Sequence, residues 1–172
     1  MAGRTALFSV GACLLAFQGE EVKDVEVNGT LHESGVDDNA SIMMKFKDGG
    51  IAIASCCTRA QLQNELHING DLGMIKMKDF WCGNHVEFQK LIPGSKYLHA
   101  PEVFNFKMPE TDEFYNFVNS PNLAFEADAA RDAIINGKTG TDKWTHNHSI
   151  QVSRILTKAR LAIGYRLPED DS

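Results

Sequence analysis

Residues 41–56 read Ser41-Ile42-Met43-Met44-Lys45-Phe46-Lys47-Asp48-Gly49-Gly50-Ile51-Ala52-Ile53-Ala54-Ser55-Cys56, and the period of this stretch decides the fold. Ile42, Met44 and Phe46 alternate with Met43, Lys45 and Lys47. Side chains on a strand point to opposite faces at every step, so a period of two predicts a strand with one buried and one wet face. Lys47-Asp48-Gly49-Gly50 then supplies the small and flexible residues of a tight turn, and Ile51 and Ile53 resume an apolar alternation. The segment is a β-hairpin.

The same pattern extends outward. Upstream, Val25 and Val27 alternate with Asp24, Glu26 and Asn28. Downstream, Leu66 and Ile68 alternate with Glu65, His67 and Asn69, Gly70-Asp71-Leu72-Gly73 makes a second turn, and Ile75 and Met77 alternate with Lys76 and Lys78. Shorter strands are predicted at Val86–Phe88 and Val103–Phe106. About six strands joined by short turns predict a mostly antiparallel sheet.

The ends of the chain have a different period. Residues 5–17 are apolar without alternation and read as a short buried helix with Gly19 as its stop. Ser120-Pro121 opens a second helix, with Leu123, Ala127, Ala130 and Ile134 on one stripe and Gly137 at its end. A third places Val152, Ile155, Leu156, Ala159 and Ile163 on one face and stops near Gly164. The expectation is a single α+β domain over residues 1–172: helix at 1–17, sheet at 22–108, helices at 112–164. Its open-faced, mostly antiparallel sheet would carry helices on one face. The second face, with Met43, Ala52, Ala54 and Cys56, would be left for a partner, most simply a symmetric dimer.

Composition narrows the function. A formal charge of −6 without a basic stripe argues against nucleic acid. The longest apolar run, Ala12–Phe17, is far short of the roughly 20 residues that cross a bilayer, so no membrane partner is expected. Thr5–Phe17 has only a superficial likeness to a signal peptide. Cys13, Cys56, Cys57 and Cys82 have no spacing typical of a disulfide framework or zinc knuckle, which fits reduced thiols in the cytoplasm.

Chemistry-bearing residues are sparse. No G-x-G-x-x-G opens a βαβ unit, since the close glycines, Gly49-Gly50 and Gly70 with Gly73, fall in hairpin turns. The chain is therefore expected to bind no dinucleotide and no other cofactor by itself. His146 and His148 could share a metal from a loop, but read better as a capping or surface pair beside Trp144 and Ser149. Cys56 and Cys57 are adjacent on a strand and face opposite ways, as structural thiols. Asp37 and Asp38 read as a solvated turn before a strand. Phe80-Trp81-Cys82-Gly83 is the least ordinary stretch: two large aromatics at a strand end serve as core filler or as the wall of a small-molecule pocket.

Taken in order, several of these segments resemble the glucose-fructose oxidoreductase and inositol dehydrogenase family, from about residue 14 to residue 168. They are Leu31-His32-Glu33-Ser34-Gly35-Val36-Asp37, Ala54-Ser55-Cys56, Asn69-Gly70-Asp71-Leu72-Gly73, Phe80-Trp81-Cys82, Phe125-Glu126-Ala127 and Ile163-Gly164. The resemblance implies the carboxy-terminal sheet domain of an NADP-dependent dehydrogenase whose Rossmann domain is absent here. In complete members it implies oxidation of trans-dihydrodiols to catechols and of pentoses such as D-xylose to lactones. It implies a homodimer or heterodimer through the sheet, and a place in the substrate pocket for Trp81. The family's catalytic Lys has no counterpart in this chain. Its A-L-L-D-I-G-I-Y helix corresponds to Ala6-Leu7-Phe8-Ser9-Val10-Gly11-Ala12-Cys13, so Ser9 stands for the acid and Cys13 for the proton donor. No residue is therefore assigned a catalytic role, and the chain is expected to be inactive alone. The rival expectation is a non-catalytic dimerisation or regulatory module that pairs with a full-length homologue.

Overall fold

The computed structural model describes residues 2–18, 20–116 and 120–171; Gly19, the expected stop of the first helix, lies outside them. Its residues group into two compact units, one of residues 1–62 with 144–172 and one of residues 63–143.

In the first unit, α1 (Ala2–Ala16) is followed by β1 (Val22–Leu31), β2 (Asp37–Phe46) and β3 (Ile51–Cys57), and the chain returns as α3 (His146–Ala162). The three strands form one antiparallel sheet in the order β1-β2-β3. Central β2 behaves as its period dictates: Ala40, Ile42, Met44 and Phe46 are buried, whereas Ser41, Met43 and Lys45 face outward. Ala6, Val10, Cys13 and Leu14 of α1 join Val152, Ile155 and Ala159 of α3 over this row in one core. Phe46 anchors it, stacked on Phe17 with ring centroids 3.8 Å apart. A Cβ at Gly50 would fall 2.1 Å from the Phe17 ring, so the hairpin turn needs glycine for steric reasons as well as for its bend.

The start of α3 is held by a capping box. The Thr145 Oγ1 accepts the His148 amide at 3.4 Å, while the His148 Nδ1 accepts the Thr145 amide at 3.1 Å. The helix ends at Ile163, followed by Gly164 with φ of 84°. The expected face of Val152, Ile155 and Ala159 is the buried one.

The second unit holds β4 (Glu65–Gly70), β5 (Gly73–Lys78), β6 (His85–Lys90) and β7 (Glu102–Asn105), paired in sequence order as a second antiparallel sheet, then α2 (Leu123–Ile135). The α+β class with open antiparallel sheets is as expected. The single sheet is not: seven strands among the described residues form two sheets. The segment 58–64 between β3 and β4 is irregular, includes Asn64 at φ of 54°, and is too long for a tight hairpin turn.

Two further readings change. On β3 the inward residues are Ala54 and Cys56, because Ile42 pairs with Ala54 and Ala40 with Cys56. Ile51 and Ile53 point outward beside Met43, at 59% and 66% exposure. Small inward side chains let α1 lie close over β3, so the open face is defined by Met43, Ile51 and Ile53 in place of Ala52, Ala54 and Cys56. The stripe on α2 is not buried either: Leu123 and Ile134 are exposed, and no α2 residue is buried.

Replacing Phe46 by Ala removes the ring beneath Phe17 from the centre of the core. It should lower stability by about 3–5 kcal/mol, read as a shift of the urea midpoint. A loss below about 1 kcal/mol would show that the first unit does not depend on this row.

Candidate functional site

Sequence reasoning points to two places, the α1 segment Ala6–Cys13 and the Phe80-Trp81-Cys82-Gly83 turn. They belong to different units.

On α1, Ser9 and Cys13 are spaced i, i+4 and lie on the same side of the helix. Both are buried, Ser9 at 9% and Cys13 at 7% exposure, and Cys13 belongs to the core cluster. Burial pushes the Cys13 thiol up to about 11. At neutral pH it is a neutral thiol, as the apolar helix predicts, and can neither take nor give a proton usefully. Gly11 lies under the Trp144 ring: a Cβ there would come 3.3 Å from it. The opposite side of α1 exposes Leu7, Phe8 and Leu15.

The Trp81 turn joins β5 to β6. Asp79 takes a left-handed backbone, φ 47°, and its carbonyl accepts the Cys82 amide at 2.9 Å. The Asn122 side-chain amide donates to the Cys82 carbonyl at 3.1 Å, fixing the turn to the segment before α2. Trp81 remains 43% exposed on this braced turn. A large aromatic surface held in place but not used for core packing suits a pocket wall.

Beside it, the sheet has two unlike faces. Leu66, Ile68, Ile75, Met77, Val86 and Phe88 share one face, none of them fully buried. On the other, Glu65 receives bonds from His67 at 2.9 Å and Lys76 at 3.1 Å, which hold its carboxyl below the usual range. His85 bridges Asn105 at 2.8 Å and Glu87 at 3.4 Å. Strand register placed this polar row, which the sequence reading left without a role.

The remaining candidates are structural. Asp38 is 4% exposed and is held by the Thr58 hydroxyl at 3.2 Å and Arg59 at 3.4 Å, so the solvated-turn reading fails for it: Asp37 and Asp38 begin β2 and Asp38 turns inward. Cys56 is buried, with its thiol pushed up chiefly by that burial, and Cys57 on the opposite face is half-buried. His148 caps α3, and the Trp144 indole donates to the Ser149 hydroxyl at 2.9 Å. Among the described residues no group of three metal-ligating side chains converges.

A nicotinamide dinucleotide needs a strand-to-helix glycine loop whose free amides meet the pyrophosphate. Here Gly49-Gly50 joins β2 to β3 and Gly70 with Gly73 joins β4 to β5, each an antiparallel turn. At the start of α3, Thr145 already takes the amide of His148. The described residues therefore do not fit that cofactor.

Residues 11–76 match the family described as GFO/IDH/MocA C-terminal domain. Over 165 residues the chain is 26% identical to the trans-1,2-dihydrobenzene-1,2-diol dehydrogenase of Danio rerio, an alignment covering 95% of this chain and 46% of that protein. Two solved structures share the fold. A UDP-N-acetylglucosamine 3-dehydrogenase from Acidithiobacillus ferrooxidans superposes with a TM-score of 0.69 at 16% identity, over 92% of this chain and 47% of that one. A 3-ketoreductase from Actinomadura kijaniata in complex with NADP gives 0.62 at 14%, over 91% and 45%. The chain spans about half the length of the relatives it matches.

Two measurements test this site description. A disulfide reagent such as dithiodipyridine should modify Cys57 and Cys82 in the folded protein, and Cys13 and Cys56 only after unfolding; rapid native labelling of Cys13 would show that its thiol lies outside the core. At the chain end, Arg160 binds Asp170 through Nη1 to Oδ2 and through Nη2 to Oδ1 at 2.6 Å. Held by Arg160 and the Leu167 amide, the Asp170 carboxyl falls from 3.8 to about 2. A depressed carboxylate stabilises fully above its unfolded value and loses that contribution as pH falls through the folded one. Protection of the 167–170 turn from hydrogen exchange should accordingly decline between pH 4 and 2, and Asp170→Asn should abolish that dependence.

Proposed function

We propose, on the premise that this chain carries the fold of a GFO/IDH/MocA C-terminal domain, that it serves as the substrate-side and assembly-forming half of an NADP-dependent dehydrogenase and is inactive alone. The reaction class proposed is oxidation of trans-dihydrodiols to catechols, with pentoses such as D-xylose, oxidised to lactones, as a second substrate class. The Danio rerio relative's name supports the first class, and NADP in the Actinomadura kijaniata structure supports the cofactor of the complete enzyme.

The observation that carries the inactive-alone reading is the environment of α1. The positions that resemblance assigns to the acid and the proton donor hold Ser9 and Cys13, both buried, with the Cys13 thiol raised to about 11. An alcohol proton removed near neutral pH needs a group that titrates close to that pH, and neither side chain supplies one. What these residues offer is a surface: the Trp81 ring to pack against an apolar substrate ring, and a braced turn that fixes its orientation. No step of hydride transfer is assigned to them.

Assembly is proposed through the open face of the first sheet, as a homodimer or with a full-length homologue. Exposed Met43, Ile51 and Ile53 support it, since adjacent apolar side chains on a sheet face are stabilised by a partner that removes them from water. Four free cysteines favour a reducing compartment, the cytoplasm. The same open face supports the second reading, a regulatory module that pairs with a complete homologue without catalysing anything.

Titration of NADPH, followed by its fluorescence, tests the main reading. The folded chain should show no saturable change, and dihydrodiol should not be oxidised. Micromolar saturable binding would overturn the assignment of cofactor binding to another half. Size-exclusion chromatography of the chain mixed with a complete homologue separates the two readings: a mixed species that suppresses the homologue's turnover favours regulation, and one that leaves turnover intact favours the half-enzyme.

A further inference from the structure

The last strand of the second sheet is the least secured. β7 (Glu102–Asn105) has four residues, all exposed, and lies at the edge of the sheet with β6 as its neighbour. Beyond it the Phe106 amide donates to the Asn84 carbonyl at 2.8 Å. Asn84 follows directly on Phe80-Trp81-Cys82-Gly83, so whatever holds this end of β7 also holds the end of the turn that carries Trp81. A short, exposed edge strand belongs to the low end of local stability, where one side-chain link between strands changes how often the end opens.

That link is His85, which stands directly across from Asn105. Because Phe106 bonds Asn84 one step further on, His85 and Asn105 face each other between ladder bonds, where opposite side chains come closest. The His85 Nδ1 lies 2.8 Å from the Asn105 Oδ1, and its Nε2 lies 3.4 Å from the Glu87 Oε1, two residues along β6. Both neighbours present oxygens that accept. The imidazolium has two N–H groups and satisfies both, whereas the neutral ring has one N–H and one lone pair. In the neutral ring either Nε2 turns its lone pair to the carboxylate, or the Asn105 amide turns over to offer an N–H of its own. The second arrangement keeps a link across the strands, but a neutral one of roughly half the strength.

The neighbouring charges leave this pairing in place. Lys76 of β5 is opposite Glu87, yet its ammonium goes to Glu65 of β4 at 3.1 Å, where His67 also binds at 2.9 Å. Lys78, one residue past the Met77–Val86 pair, is the other cation that β5 puts on this face. On β7, Glu102 lies on the opposite face and pairs with Lys90 at 3.7 Å. Just past β7, Lys107 is tied to Glu110 at 2.7 Å. Glu87 is therefore left to His85, whose side chain is 39% exposed and exchanges its proton with water.

We infer that His85, Asn105 and Glu87 form a proton-operated clasp on β7: in acid the imidazolium ties the edge strand to β6 and steadies the Trp81 turn, and the clasp slackens as pH rises through the range in which histidines lose their proton. Its consequence for a bound molecule rests on the place given to Trp81 above. The clasp itself does not, and it stands whether or not Trp81 meets a substrate.

Amide hydrogen exchange of the whole chain, followed by NMR and corrected for the intrinsic effect of pH on exchange, reads the clasp. Protection of the Phe106 amide should fall about two- to tenfold between about pH 5 and pH 8, the worth of one hydrogen bond over the histidine range. The Cys82 amide, which bonds Asp79 within the turn, should follow it. His85→Gln keeps a donor for Asn105 but carries no titrating group, and should flatten both profiles. His67→Gln should leave them unchanged. In the unsubstituted chain in acid, the His85 ring should carry protons on both nitrogens, with the Nδ1 proton slowed in its exchange with water. A Phe106 profile independent of pH would overturn the clasp, as would a dependence that outlives His85→Gln or disappears with His67→Gln. An Nδ1 proton that exchanges as fast as in free histidine would do the same, and a Cys82 profile that stays flat while Phe106 changes would overturn the reach of the clasp to Trp81.

Discussion

Burial of the row Ile42, Met44 and Phe46 beneath α1 and α3 is the constraint on which the first unit depends. These three side chains are at most 1% exposed, and every fully enclosed side chain of the core lies among them or on α1 above them. Because strand side chains alternate, placing this row inward forces Met43 and Lys45 outward and fixes the register of both neighbouring strands. It also forces α1 to use a core face of Ala6, Val10, Cys13 and Leu14. Ser9 and Cys13 are thereby withdrawn from solvent, so the same packing that stabilises the sheet removes the proton chemistry resemblance would assign to α1.

The two units solve the packing problem to different extents. The first encloses its core with two helices. In the second no residue is fully buried among those described, and α2 exposes Leu123, Phe125, Ile134 and Ile135. An antiparallel sheet with one apolar and one ionic face is ordinary when something covers the apolar side. Contiguous apolar side chains of this kind are stabilised by whatever removes them from water. The α1 side bearing Leu7, Phe8 and Leu15 is exposed in the same way.

Most of the polar interactions are local fasteners. The Thr145–His148 box starts α3, the Arg160–Asp170 pair ties down the turn after it, and Asp38 is satisfied by Thr58 and Arg59 at the edge of the core. Each meets the need of a buried or terminal polar group for a partner. None converges on a reacting centre. The surfaces left exposed on firm supports are correspondingly apolar and aromatic: the braced Trp81, and Met43, Ile51 and Ile53 on the open sheet face.

The sequence by itself determined the strands, the turns and the core faces of β2 and α3, because those follow from alternation, glycine placement and helical spacing within a few residues. It also determined that the α1 positions lack an acid and a tyrosine, and that no dinucleotide loop is present. Only the tertiary structure decided which way β3 faces. Ile51-Ala52-Ile53-Ala54 alternates either way, and the closeness of α1 overhead selects the alanine at 54 over the isoleucines. The break between β3 and β4 and the inward turn of Asp38 were likewise not legible. They arise from contacts between segments far apart in the chain, and a local period carries no record of what packs against it.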